Sequence, residues 1–411
     1  MYIYYSSMLK ISLHYPHHPS FHFISITTTM KFIGASVVAS VFLLSTIAEA
    51  GRTCVVGHSG NNNEVAPIMK AFKDCNNGGT VVFPAGQTYN VKSALELQGL
   101  KNIVVKFDSI INFPRFNPKI QKGKGYMYFN GDNIHFSGRG TINGNGQGWF
   151  DAQNNQGPTM VRVNARNSYF AGFTVKQAPN GHFSIVGSQN TILENLSLRT
   201  VSTNPSRPAK NTDAFGISSS SNIIIRDSTI VNGDDCLAVH GGVTNATISG
   251  ITCTGGHGFS VGSLGKDGIT ESLSGVSFLN NKCINCTSGL RIKAWPGGKG
   301  NVNDIRFENT SLQNVESPID ISTHYCDKER ASQCARDDAT SLSFTNIKIK
   351  NVSGTGSTNK DYPLININCA AKNPCKNIVL SDIHLTPSNS KTKKNVCLNL
   401  VNSGAIPYCK L

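Results

Sequence analysis

Four short polar clusters stand in order between residues 180 and 325: Asn211-Thr-Asp213, Gly233-Asp-Asp-Cys236, Gly256-His-Gly258 and Arg291-Ile-Lys293. Together they offer three carboxylates, an imidazole and two cations. Acidic residues are rarely buried without partners, and neighbours on a regular strand face opposite ways, so Asp234 and Asp235 side by side call for a turn or bulge. Carboxylates gathered in one place raise one another's pKa, because like charges resist joint ionisation. One can then stay protonated as a general acid while its partners act as bases, which is what cleavage of a glycosidic bond requires. Arg291 and Lys293 alternate on a strand and so share a face, where two cations suit an anionic sugar. Each cluster alone has an ordinary explanation. An Asp pair is most often an exposed turn, a His between glycines a loop residue, and Arg-x-Lys a solvated strand face. Trp295-Pro-Gly-Gly reads as a packed corner, with sugar stacking the minority alternative.

The elements that must bring these clusters together are short β-like runs repeated along the chain. Examples are Asn102-Ile-Val-Val-Lys-Phe, Asn190-Thr-Ile-Leu-Glu-Asn-Leu-Ser-Leu, Asn222-Ile-Ile-Ile-Arg-Asp-Ser-Thr-Ile and Asn377-Ile-Val-Leu-Ser-Asp-Ile-His-Leu. The template is Asn, an apolar alternation, a polar kink, then a second short alternation, at a loose spacing of roughly 23 to 38 residues that marks a solenoid. Asn recurring at one place in each turn predicts a stacked amide ladder. The expected fold is all-β, a right-handed parallel β-helix, with a short helix over Ala66–Cys75 capping its first coil. A β-sandwich is the rival, but the paired hairpin signals it needs are not regularly present. In a solenoid, residues one turn apart stack at about 4.8 Å, so Asp213, Asp234 or Asp235, His257 and Arg291 are expected to converge on one patch.

Residues 1–29 resemble neither a targeting signal nor a domain, and are expected to be an upstream extension. Met30-Lys31, the apolar run Phe32–Ile47 and Ala48-Glu49-Ala50 read as a secretory signal peptide over 30–50, leaving 51–411 as one catalytic domain. No other run is long enough to span a membrane. The 12 Cys, an even number, then predict disulfides. The expected pairs are Cys54–Cys75, Cys236–Cys253, Cys283–Cys286, Cys326–Cys334, Cys369–Cys375 and Cys397–Cys409. A zinc reading of Cys283-Ile-Asn-Cys286 lacks a second ligand pair. Five N-x-[ST] sequons, at Asn195, Asn245, Asn285, Asn309 and Asn351, suit a secreted glycoprotein. The net charge of +14 would favour an acidic polymer, though solubility alone explains it equally well. The basic residues are scattered and form no nucleic-acid module.

The four clusters, in this order, resemble the four signatures of the polygalacturonases, pectin-degrading glycoside hydrolases with a parallel β-helix fold. The likeness runs through nearly the whole of 51–411, includes Gly79-Thr-Val-Val-Phe-Pro-Ala-Gly86 and Gly140-Thr-Ile-Asn-Gly-Asn-Gly146, and is similar in texture to fungal members. The resemblance implies Asp234 as the acid that protonates the glycosidic oxygen, and Asp213 and Asp235 as the groups that activate water. It implies His257 as a hydrogen-bonding tuner of the acid, Arg291 and Lys293 as binders of the galacturonate carboxylate, and Tyr325 as a substrate contact. It implies inversion at the anomeric carbon, polygalacturonate as partner, and no metal or other cofactor; a secreted monomer with no nucleic-acid or membrane partner is expected. Two departures stand out. Ala214 replaces the usual Gly and would be strained at positive φ, or would reshape a subsite. His324-Tyr325-Cys326 differs from the Gln-Asp-Tyr of endo-acting enzymes and leans toward exo action. Endo action stays open, as do a Ca²⁺-dependent pectate lyase on the same kind of solenoid and a non-catalytic carbohydrate-binding β-helix.

Overall fold

The computed structural model describes residues 51–120, 125–326 and 340–409. The extension over 1–29, the signal peptide over 30–50 and the Cys326–Cys334 pair fall wholly or partly outside the described residues. Within them, each strand away from the two ends pairs in parallel with the strand one coil before it and the strand one coil after. Phe183 stands in register with Phe215, Phe215 with Leu237, Leu237 with Phe259, Phe259 with Leu290, and Leu290 with Ile319. The result is a right-handed parallel β-helix, the hand that the twist of L-residue strands imposes on parallel crossovers. A sandwich is excluded, since the antiparallel contact among the described residues is one isolated bridge, Ala370 with Asn373.

The alternation expected from the repeats is what fills the interior. Phe183, Phe215, Leu237, Phe259, Leu290 and Ile319 are buried in one inward column, and the rings of Phe183 and Phe215 stack with centroids 5.3 Å apart. Burial of each such side chain stabilises the fold by about 1.5–3 kcal/mol before entropy is counted. The helix at the first coil runs Val65–Asp74, one residue earlier than expected. Its Phe72 is buried against Phe83 and Phe129, covering an end that would otherwise expose apolar rungs. A second helix, Gln147–Asp151, was not anticipated. It is a single short turn whose Trp149 and Phe150 pack with Ala209 rather than along a periodic stripe. Five disulfides form as expected, Cys54–Cys75, Cys236–Cys253, Cys283–Cys286, Cys369–Cys375 and Cys397–Cys409.

The amide ladder is present and explains the recurrent Asn. Asn167, Asn190, Asn222 and Asn245 all hold φ near +50°, a left-handed conformation that Asn tolerates better than other non-glycine residues. The Nδ2 of each donates to the Oδ1 one coil back: Asn190 to Asn167 at 2.9 Å, Asn222 to Asn190 at 2.9 Å, Asn245 to Asn222 at 2.7 Å. A second ladder runs Asn351 to Asn309 to Asn280. Asn314 donates to Asn285 in the same way at 2.8 Å, so four of the five sequon residues, Asn245, Asn285, Asn309 and Asn351, are rungs. Asn222→Ala removes one donor and one acceptor and leaves an alanine at positive φ, so a loss of about 2–4 kcal/mol is expected, read as a lowered urea midpoint. Asn222→Gly relieves the backbone strain and should lose less.

Candidate active site

The turn between strands Thr229–Val231 and Leu237–Val239 carries the Asp pair. Asn232 spans it, its Nδ2 donating to the carbonyls of Thr212 and Asp235 at 2.9 and 3.0 Å. The Gly233 amide donates to Thr212 Oγ1 at 2.9 Å. A Cβ on Gly233 would lie 2.1 Å from the Ala209 carbonyl oxygen, so no other residue permits this approach. Cys236 then fastens the turn to the next coil through Cys253. Two-face alternation is suspended here, as the adjacent carboxylates required.

Each aspartate acquires distinct partners. Asp234 Oδ1 accepts from the Asp235 amide at 2.8 Å and lies 3.1 Å from His257 Nδ1, while its Oδ2 accepts from the Asn211 amide at 3.2 Å. Asp235 is held by Lys293 Nζ at 2.8 Å on Oδ2 and by the Ser260 hydroxyl, which donates to Oδ1 at 2.8 Å. Asp213 is pinned through its backbone: its carbonyl accepts from the His182 amide at 2.7 Å and faces the His182 ring Nδ1 at 3.1 Å. The ring of His182 is buried, which lowers its pKa to about 4 and keeps it neutral, with Thr200 Oγ1 2.9 Å from Nε2.

The electrostatics divide the carboxylates in an unexpected way. Loss of water, then repulsion from Asp234 and Asp235, pushes Asp213 up to about 8. Burial resists ionisation of Asp234 too, but His257 and the Asp235 amide outweigh it and hold that carboxyl below its ordinary value. Burial opposes the charge on His257, and Asp234 overcomes this to raise the imidazole above its usual range. Burial and like charge thus favour the protonated form of Asp213, while the His257 ring 3.1 Å away favours a charged Asp234, the group that the resemblance implies as the acid.

The cations also differ from expectation in one respect. Arg291, Lys293 and Tyr325 do gather on one face: the Tyr325 ring lies 5.3 Å from Arg291 Cζ and 5.5 Å from Lys293 Nζ. Lys293, however, is committed to Asp235, both side chains being under 10% exposed (9% and 4%). Arg291 meets Asp320 instead, Nε to Oδ2 at 3.4 Å. Trp295 is buried edge-on to Tyr325, a packed corner rather than a sugar platform. Ala214 is free of strain: it is not among the positive-φ residues, and its methyl lies in the core, so it lines no subsite. Asp234, Asp235 and His257 place ligand atoms within 4.8 Å of one another. A cation there would displace Lys293 from Asp235, and the set offers far fewer oxygens than the six to eight that Ca²⁺ takes.

Sequence reasoning missed Asn232, Ser260, His182, Asp320 and Asn366. Ser260 and Asp320 are polar residues flanked by apolar ones on a strand, as in Phe259-Ser-Val261 and Ile319-Asp-Ile321, which marks an outward position but names no partner.

Lys293→Ala leaves Asp235 buried and uncompensated, so a loss of about 3–5 kcal/mol is expected in denaturant unfolding. For Asp213 the sign is the reverse. Folding favours its protonated form, so its contribution worsens as pH rises from the ordinary carboxylate value of 3.8 toward about 8. Asp213→Asn should therefore be more stable than wild type at pH 8, and the advantage should vanish near pH 4. The His257–Asp234 pair stabilises between the lowered carboxyl and the raised imidazole, and is lost outside that window on either side.

The family model for glycosyl hydrolases family 28 matches residues 75–405. The chain is 42% identical to the exopolygalacturonase rpg16 of Rhizopus delemar, over 91% of this chain and 97% of the relative. It is 31% identical to exopolygalacturonase A of Aspergillus niger, over 84% and 85%. Among solved structures it is similar to the endo-xylogalacturonan hydrolase of Aspergillus tubingensis, at 27% identity with a TM-score of 0.77, over 85% of this chain and 96% of that one. The chain belongs to glycosyl hydrolases family 28.

Proposed function

We propose that the protein is a secreted glycoside hydrolase that cleaves the α-1,4-galacturonosyl bonds of polygalacturonate, with inversion and by exo action. The observation that carries this reading is the convergence of Asp213, Asp234 and Asp235 from consecutive coils, with His257 on one carboxyl and Arg291 nearby. Such a set can protonate a leaving oxygen on one side of a sugar and activate water on the other. Exo action is supported by relatives that carry the name exopolygalacturonase. Secretion is supported by the five disulfides, which persist in oxidising compartments. Among the described residues no helix is long and apolar enough to cross a membrane.

Asp234 is the proton donor in the reading that the family signatures support, with His257 beside it at 3.1 Å. A second reading makes Asp213 the donor, and its raised pKa favours it. Asp213 and Asp234 act on one another's ionisation, so substrate chemistry decides between them.

Chromatography of early products from polygalacturonate should show monomer alone; a ladder of oligomers would mean endo action. Proton NMR of fresh product should show the inverted anomer. Products should be saturated and the rate indifferent to chelator, whereas unsaturated, chelator-sensitive products would establish a lyase. Asp234→Asn and Asp213→Asn should each lower kcat by about 10²- to 10⁴-fold. The donor is the one whose loss is repaired by a substrate with a better leaving group. Activity should peak below neutrality and fall as pH approaches 8.

A further inference from the structure

One outward column of the coil carries Ser260, Arg291, Asp320 and Asn366 in strict register, one residue per rung. The last three form a relay. Asn366 Nδ2 donates to Asp320 Oδ1 at 2.8 Å, and Asp320 Oδ2 faces Arg291 Nε at 3.4 Å. Both Arg291 and Asp320 side chains are mostly buried, at 19% and 18% exposed, so their charges are only partly screened. The contact is nevertheless poorly aligned: Arg291 Nε is buried without a hydrogen-bond partner. It is a single charge contact through Nε, unlike the two parallel bonds of a forked arginine–carboxylate pair.

We infer that Asp320 is a built-in counter-ion that weakens the grip of Arg291 on a substrate carboxylate, and thereby sets the discrimination between a free uronate and its neutral methyl ester. A carboxylate arriving at Arg291 meets the resident negative charge one rung away and must share the guanidinium with it. A methyl ester meets no such repulsion. Specificity is a difference between affinities, and a repulsive element beside the attractive one narrows that difference. Asn366 matters because it fixes Asp320 in place, so the carboxylate cannot swing away when an anion arrives. This inference rests on the reading of Arg291 as the group that binds the uronate carboxylate.

Asp320→Asn tests it, since the amide keeps the shape and an acceptor oxygen for Asn366 while removing the charge. KM for polygalacturonate should fall about three- to tenfold, and inhibition by free galacturonate should tighten by a similar factor. KM for methyl-esterified substrate should not change, so the preference for acid over ester widens. An unchanged preference, or a KM that rises equally for both substrates, would overturn the inference and leave Asp320 as a residue that merely orients Arg291. Arg291→Ala separates this from failure of the site reading. If that variant keeps the wild-type acid-to-ester preference, Arg291 is not the carboxylate grip and both readings fall. If it abolishes the preference while Asp320→Asn does nothing, only the counter-ion inference falls. In the Arg291→Ala background, Asp320→Asn should have no further effect on the preference.

Discussion

Everything in this molecule depends on parallel register between coils. A strand pairs with its equivalents one turn away, so each side-chain position becomes a column running along the axis. Inward columns are apolar and make the core; outward columns make surface or chemistry. The register is held at the turns, where asparagines in a left-handed conformation bond amide to amide from coil to coil. A slip of one residue would turn every inward side chain outward, so the apolar columns and the ladders enforce the same alignment.

The candidate active site uses this regularity and then departs from it. Asp213 and the Asp pair sit in turns, where Gly233, Asn232 and the Cys236–Cys253 disulfide hold carboxylates that a strand would have faced apart. Lys293 and Arg291 come from a strand in the adjoining coils and supply the opposite charge. The charges are nearly balanced: Asp234 faces His257, Asp235 faces Lys293, Asp320 faces Arg291, and burial favours the neutral form of Asp213. Such pairing lets several ionisable groups share a partly dry cleft without a large desolvation penalty for unpaired charge. It also means that an anionic substrate enters a site whose cations already have partners. The raised carboxyl of Asp213 follows from this crowding and burial.

Much of this was legible in the amino-acid sequence. Alternating apolar runs behind a recurrent Asn specified a parallel solenoid and its ladder, because period-two burial and left-handed turns are local properties of those residues. Cysteine spacing indicated five of the disulfides seen. The order of Asn211-Thr-Asp213, Gly233-Asp-Asp-Cys236, Gly256-His-Gly258 and Arg291-Ile-Lys293 located the cluster, since equal places in successive coils must stack. Tertiary structure alone decided who pairs with whom. That Lys293 belongs to Asp235, that Arg291 leans on Asp320, and that a buried His182 pins Asp213 all depend on distances of 2.8 to 3.4 Å between residues from different coils. A sequence records which column a residue occupies; it does not record how far a side chain reaches or how much water surrounds it, and those two quantities set the charge state of the site.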